Sequence, residues 1–287
     1  MRVACTHYSY DAANQMTAFG GTGYSYDRNG NLTAFGSNSL SYDASNKWTS
    51  GTVNGNSVQF GYDGHGRRSS RTVGTGRNDY WYDVTGLTLQ TGANPATYLR
   101  DPDGTVLSVE TDQLYNYGRD RLGSVTAMVT TGQAVANSYS YDPWGETIGS
   151  TGTAYNPFLF TGVYKDGATG LYAMTQRYYQ PSSGRFTQLD PKPCKLMTAN
   201  RYIYTDGNPA NFTDVAGLDF LPCVNDCLSG AGLSQALIAA IAIACIPACG
   251  ATAGIGCAIC AGALAGALGG LVGSCISICL IKEGYYP

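Results

Sequence analysis

The sequence predicts a mainly β protein, a row of β-hairpins curling into one sheet, followed by a small α-helical, apolar, cysteine-rich module. Three observations predict it. A Tyr-Asp dipeptide recurs through the first half of the chain. The composition is rich in glycine (38) and tyrosine (22), while charged residues make up 13% of the 287, about half the usual share. After Leu218 the aromatic alternation stops and Ala, Gly, Ile, Leu and Cys take over.

The repeats define the first element type. Tyr-Asp stands at Tyr10-Asp11, Tyr26-Asp27, Tyr42-Asp43, Tyr62-Asp63, Tyr82-Asp83 and Tyr141-Asp142, the first five spaced by roughly 16 to 20 residues, a repeat period. Before each Asp, aromatic and polar residues alternate, as in a strand with one buried face. The Asp is expected to accept backbone N–H groups of a turn, and a following Gly to supply positive φ, as in Tyr26-Asp27-Arg28-Asn29-Gly30. Such a hairpin cannot bury its own face, so neighbours stack edge to edge.

Several function classes fall away at this stage. With a net charge of −3 and sparse charge, nothing suggests a nucleic-acid partner, and none is expected. His7 and His65, the two histidines, read as surface or packing residues of the repeats. Gly21-Thr22-Gly23 is a hairpin turn, since no helix and no Lys-Ser/Thr follows it. Asp101-Pro102-Asp103-Gly104 is a turn too short for a calcium loop, and Arg67, Arg68 and Arg71 read as a solvated strand face. No cofactor, metal or small-molecule substrate is expected. The N-terminus has no apolar signal region and reads as the middle of a repeat array, so the chain is expected to be the last part of a longer chain or a shortened product.

From about residue 115 to 218 ordered blocks follow one another: Gly118-Arg119-Asp120-Arg121-Leu122-Gly123-Ser124-Val125, Tyr139-Ser140-Tyr141-Asp142-Pro143-Trp144-Gly145, Asn156-Pro157-Phe158-Leu159-Phe160-Thr161-Gly162, Arg177-Tyr178-Tyr179, Gly184-Arg185-Phe186-Thr187-Gln188-Leu189-Asp190-Pro191, Asn200-Arg201-Tyr202-Ile203-Tyr204 and Asp214-Val215-Ala216-Gly217-Leu218. With these blocks the chain resembles the C-terminal end of a bacterial RHS/YD-repeat protein of the polymorphic-toxin kind. The resemblance covers about three quarters of the chain. It divides the chain into YD/RHS repeats (1–114), an RHS repeat-associated core domain (115–218) and a variable tail (219–287). It implies an RHS β-shell closed at one end by the core domain, with an effector that the shell can enclose.

The resemblance also implies self-cleavage by paired aspartates after the Leu of a terminal Asp-Pro-x-Gly-Leu motif. Carried over by motif, the pair is Asp190 and Asp214, the scissile bond is Leu218–Asp219, and Arg177 is the supporting cation. The residue types suit the chemistry. Two carboxylates in one confined site cannot both ionise easily, so the pair is expected to share a proton. One then activates water while the other polarises the scissile carbonyl, and the Arg braces them. Three departures from the family pattern stand out. Val215 replaces the motif's Pro, Arg121 replaces a His, and Gln180 replaces the Asp after Arg177-Tyr178-Tyr179.

The tail carries no charged residue from Cys227 to Ile281. Ala231–Ala248 is about long enough to span a bilayer, and Ile255–Ile281 has glycines spaced for close helix approach, so residues 231–281 are expected to meet a membrane. Eight of the ten cysteines lie here: Cys223, Cys227, Cys245, Cys249, Cys257, Cys260, Cys275 and Cys279. Of the roughly one hundred pairings that eight cysteines allow, one set compatible with two stapled helical hairpins is Cys223–Cys249, Cys227–Cys245, Cys257–Cys279 and Cys260–Cys275, and metal binding is the rival for these thiols. An even count fits an oxidising, secreted or cell-surface destination. The tail is loosely similar to small cysteine-rich bacteriocins of the halocin C8-like kind. The expected function is a β-shell with aspartyl self-cleavage in cis, carrying a membrane-active tail, with an immunity protein as a candidate partner. The alternative is a non-catalytic surface or adhesion fragment anchored by that tail, and a silent, truncated remnant is a third.

Overall fold

A computed structural model describes residues 7–191, 200–215 and 217. Sixteen strands follow one another in a single antiparallel meander, each pairing with the next. Seven of its hairpins turn on an aspartate. β1 (Tyr8–Tyr10) and β2 (Met16–Phe19) flank Asp11, β3 (Thr22–Tyr26) and β4 (Leu32–Phe35) flank Asp27, and β5 (Asn38–Tyr42) and β6 (Trp48–Val53) flank Asp43. β7 (Asn56–Tyr62) and β8 (Arg68–Val73) flank Asp63. β9 (Gly76–Asp83) and β10 (Gly86–Gly92) join through a shorter turn. Beyond it, β11 (Ala96–Arg100) and β12 (Val106–Glu110) flank Asp101, β13 (Leu114–Arg119) and β14 (Val125–Thr130) flank Asp120, and β15 (Val135–Tyr141) and β16 (Thr147–Thr151) flank Asp142.

The seven turns share one chemistry. Oδ1 of the Asp accepts the backbone N–H groups two and four residues on, as Asn29 and Asn31 donate to Asp27 at 2.9 Å each. The third residue after the Asp is Asn14, Gly30, Asn46, Gly66, Gly104, Gly123 or Gly145, each with φ between 60° and 89°. Only Gly, and next to it Asn, adopts that backbone at low cost. One step before each Asp the register slips by a residue, a β-bulge. A bulge increases local twist, and seven on the same side of one meander curl the sheet. The intervening turns of the first repeats are two-residue loops, such as Gly20-Gly21 and Asn54-Gly55, whose positive φ matches strand twist.

A second, four-stranded sheet lies in the concave face: β17 (Tyr164–Lys165), β18 (Tyr172–Met174), β19 (Arg177–Gln180) and β20 (Arg185–Phe186). It and the segments beside it touch both ends of the meander. Arg185 donates to the Asn14 carbonyl at 2.6 Å and Tyr202 to that of Gly30 at 2.8 Å, while Tyr179 donates to the Trp144 carbonyl at 2.7 Å. The long sheet therefore wraps around the short one. Its inner face is filled by apolar packing: Leu171 and Tyr178 sit among Leu32, Leu40, Trp48, Val58 and Phe60, and Phe158 and Tyr164 sit among Tyr80, Tyr98, Val109 and Met128. The meander passes without a break through residues 114–115, and the change of sheet comes after Thr151.

One expectation is corrected. Arg68 and Arg71 are not a solvated face. Both turn inward onto Asp166, which has no exposed surface, at 3.6 and 2.5 Å. The reason is tertiary: the small sheet brings a buried carboxylate to the strand, and the bulge beside Tyr62 re-aims Arg68. The expected helical tail, all ten cysteines, Leu218 and Asp219 lie outside the described residues. Among the described residues, no helix is long and apolar enough to cross a membrane and no cluster of His, Cys, Asp and Glu could hold a metal.

Candidate self-cleavage centre

Three segments build the centre. Arg177 opens β19, a strand buried along its whole length. Asp190 follows β20 and is tied to the returning chain: its N–H donates to the Arg201 carbonyl at 3.1 Å, and the Arg201 guanidinium donates to the Asp190 carbonyl. Asp214 lies on the last described loop, where the Gly217 N–H donates back to its carbonyl at 3.3 Å.

The Arg177 guanidinium is the hub. Its Nη2 lies 3.0 Å from Oδ2 of Asp190 and 3.2 Å from Oδ2 of Asp214. Nη1 donates to the Arg201 carbonyl at 3.2 Å and Nε to the Gly217 carbonyl at 2.5 Å. The cation lies over the Phe186 ring, 3.6 Å from its centroid. Arg177, Asp190 and Asp214 are 3%, 6% and 5% exposed, so the cluster is shielded from bulk water and its charges are weakly screened. Both carboxylates thus converge on one guanidinium nitrogen, at 3.0 and 3.2 Å.

The structure thus brings Arg177, Asp190 and Asp214 together. Sequence reading missed four further parts of the centre: the Gly217 carbonyl, the Arg201 main-chain carbonyl, the Phe186 ring and Tyr204, whose hydroxyl lies 3.5 Å from the Asp214 N–H. Phe186, Arg201 and Tyr204 were visible as motif members without a role. Gly217 has a steric reason to be glycine: φ is +69°, and a Cβ there would stand 2.8 Å from the Met174 carbonyl oxygen. Of the three departures from the family pattern, Arg121 donates to the Ala210 carbonyl at 2.7 Å and ties a shell turn to this loop. Gln180 accepts from Ser183 at 2.9 Å, and Val215 is 42% exposed, so it packs against little.

A repeat-built β-shell wrapped around a core segment with a buried Asp–Arg–Asp cluster defines the class of protein. The teneurin YD-shell family matches residues 2–211, and the chain belongs to it. Among curated proteins it is similar to the tRNA3(Ser)-specific nuclease WapA of Bacillus spizizenii, 32% identical over 170 residues, 55% of this chain and 7% of that protein. It is also similar to salivary gland surface protein 1 of Aedes aegypti, 32% identical over 184 residues, 56% of this chain and 5% of that one. The chain therefore spans only a small fraction of either relative. The crystal structure of TcdB2-TccC3 matches with a TM-score of 0.58 at 18% identity, covering 74% of this chain and 14% of that one, a likeness of fold alone. The described residues are an RHS/YD-shell region related to those of WapA and the toxin-complex shells.

Proposed function

We propose that this chain is the C-terminal shell segment of a polymorphic-toxin-like protein that cuts its own backbone between Leu218 and Asp219 and so releases residues 219–287 as a membrane-active effector. One observation carries the cleavage reading. The guanidinium that contacts both aspartates also holds the carbonyl of Gly217, one residue before the scissile Leu218. Fixing the neighbouring peptide beside the carboxylates makes attack effectively unimolecular. One carboxylate takes a proton from water as it adds to the Leu218 carbonyl. The other gives a proton to that oxygen, and the C–N bond breaks with the proton returned to the departing Asp219 amine.

The tail's uncharged apolar runs support a membrane target at residues 231–281, and its eight cysteines support a secreted or surface destination where disulfides persist. The test is the intact mass of purified full-length protein beside Asp214→Asn. The expected result is a wild type broken after Leu218 and a variant that stays whole. An uncut wild type overturns self-cleavage and leaves a shell segment with an attached apolar tail.

A further inference from the structure

Outward positions on much of the long sheet carry polar side chains: Ser25, Ser39, Ser41, Ser57 and Gln59 are exposed. On β9 to β12 that pattern breaks. Trp81 is 60% exposed, Leu99 61%, Leu107 45% and Leu89 38%. Pairing register makes them neighbours. Leu89 stands opposite Trp81 on one side and Thr97 on the other. Leu99 is two residues beyond Thr97 and so on the same face, and a bulge sets Leu107 and Ser108 together against Leu99. Val84, 90% exposed at the β9–β10 turn, extends the stripe. A lone exposed leucine is ordinary, whereas a tryptophan and three leucines across four adjacent strands form a patch.

The rim of the patch is acidic. Asp79 and Asp83 stand two residues either side of Trp81 and share its face. Glu110 is opposite Thr97, and Asp101 and Asp103 lie in the β11–β12 turn. Arg77 pairs with Asp79 at 2.7 Å, and Arg100, turned inward over the Phe158 ring, offsets part of the charge of Asp83, so the negative rim rests chiefly on Glu110, Asp101 and Asp103 with the remainder of Asp83. Hydrogen bonds from the Thr85 hydroxyl and N–H hold the Asp83 carboxyl below its usual range, so it is charged.

We infer that the outer face of β9–β12 is a docking surface for a second protein that presents a basic segment, with Lys or Arg alternating with aliphatic residues. The face of Trp81 takes a cation, Asp83 and its neighbours pair with others, and Leu89, Leu99 and Leu107 cover the aliphatic side chains. Charge decides among occupants. An anionic bilayer is repelled by the carboxylates. The chain's own tail is uncharged from Cys227 to Ile281 and offers the rim no cation there.

Trp81 supplies the probe, because Trp48 has no exposed surface and Trp144 is half-buried. Full-length protein is titrated with a short peptide alternating lysine and leucine, and with its glutamate–leucine twin, while tryptophan emission is followed. The expected result is a saturable blue shift with the lysine peptide that weakens as salt is added. Leu99→Lys weakens it roughly tenfold, the scale of an interface anchor, and Asp83→Asn less. Both positions are exposed, and circular dichroism checks that the sheet is intact. No saturable shift, equal binding of the glutamate twin, or variants that bind like wild type each overturn the proposal. A larger shift with phosphatidylcholine vesicles would give the face to a bilayer. A Trp81 already shielded from acrylamide in the free full-length chain would give it to the tail.

Discussion

Asp166 sits in the turn between β17 and β18 and receives both Nε and Nη2 of Arg71, at 2.5 and 2.9 Å. Arg68 lies beside it, stacked over Phe60, Tyr80 and Tyr164. Burial pushes the Asp166 carboxyl up, but the hydrogen bond from Arg71 and the charges of Arg68 and Arg71 outweigh it and hold the carboxyl below its ordinary range. A depressed carboxylate stabilises the fold above its unfolded pKa, and that contribution is lost as pH falls through the folded value. Asp166→Asn would leave two inward arginines without a counter-charge, at a cost of about 3 kcal/mol at neutral pH. Urea unfolding measures it, and a loss under about 1 kcal/mol, the range of a surface pair, would show that the ion pair is incidental. None of this was legible in the sequence. The pairing is long-range: 95 positions separate Asp166 from Arg71.

At the scale of the element, the sequence was far more legible, because the Asp turn is local chemistry. Asp, a positive-φ residue three positions on and two captured N–H groups all lie within five consecutive residues. What stayed hidden was that the turn at Asp101, read only as a turn, and the one at Asp120 belong to the repeat, because Arg100 and Arg119 stand there in place of the usual Tyr. The structure shows why Arg serves. In several repeats the tyrosine before the Asp staples its hairpin to the one before it: the Tyr62 hydroxyl donates to the Trp48 carbonyl at 2.7 Å, and Tyr82 donates to that of Arg68 at 2.9 Å. Arg100 makes the equivalent bond to the Leu87 carbonyl at 2.7 Å. The turn itself can be tested at Asp43, which captures Ser45 and Lys47 at 2.9 Å each from an exposed position. Asp43→Ala should cost about 1–2 kcal/mol, the scale of a lost N-cap, and Asp101→Ala a similar amount. The two turns share no partner, so the double variant should add within about 0.5 kcal/mol. A double-variant cost well beyond the sum would mean that the turns hold the curl jointly rather than each holding its own hairpin.

Across the whole molecule, the residues of the candidate centre were legible and their arrangement was not. Motif carry-over named Asp190, Asp214 and Arg177, but only the fold of the small sheet and of the chain returning beside it, inside the curl of the long sheet, brings Arg201 and Gly217 to the same guanidinium. The same curl buries tyrosines along the inner face, and this makes the fold sensitive to alkali. Burial pushes the Tyr82 hydroxyl up to about 12, and raises those of Tyr98, Tyr141 and Tyr179 as well. A free tyrosine ionises near pH ~10. The sign follows from linkage: a group whose folded pKa is raised stabilises the fold fully below its unfolded value, and loses that contribution as pH climbs towards the folded one. The urea midpoint should therefore hold up to about pH 10 and fall steeply between about 10 and 12. Because Tyr62, Tyr82 and Tyr141 each bond to the carbonyl of a preceding hairpin, ionising one loosens two. Tyrosinate absorbance from the buried rings should then rise in a single step together with the loss of β circular dichroism. A smooth rise over an intact spectrum would mean that each ring reaches solvent by itself, and that the inner face is held by apolar packing without the hydroxyl staples.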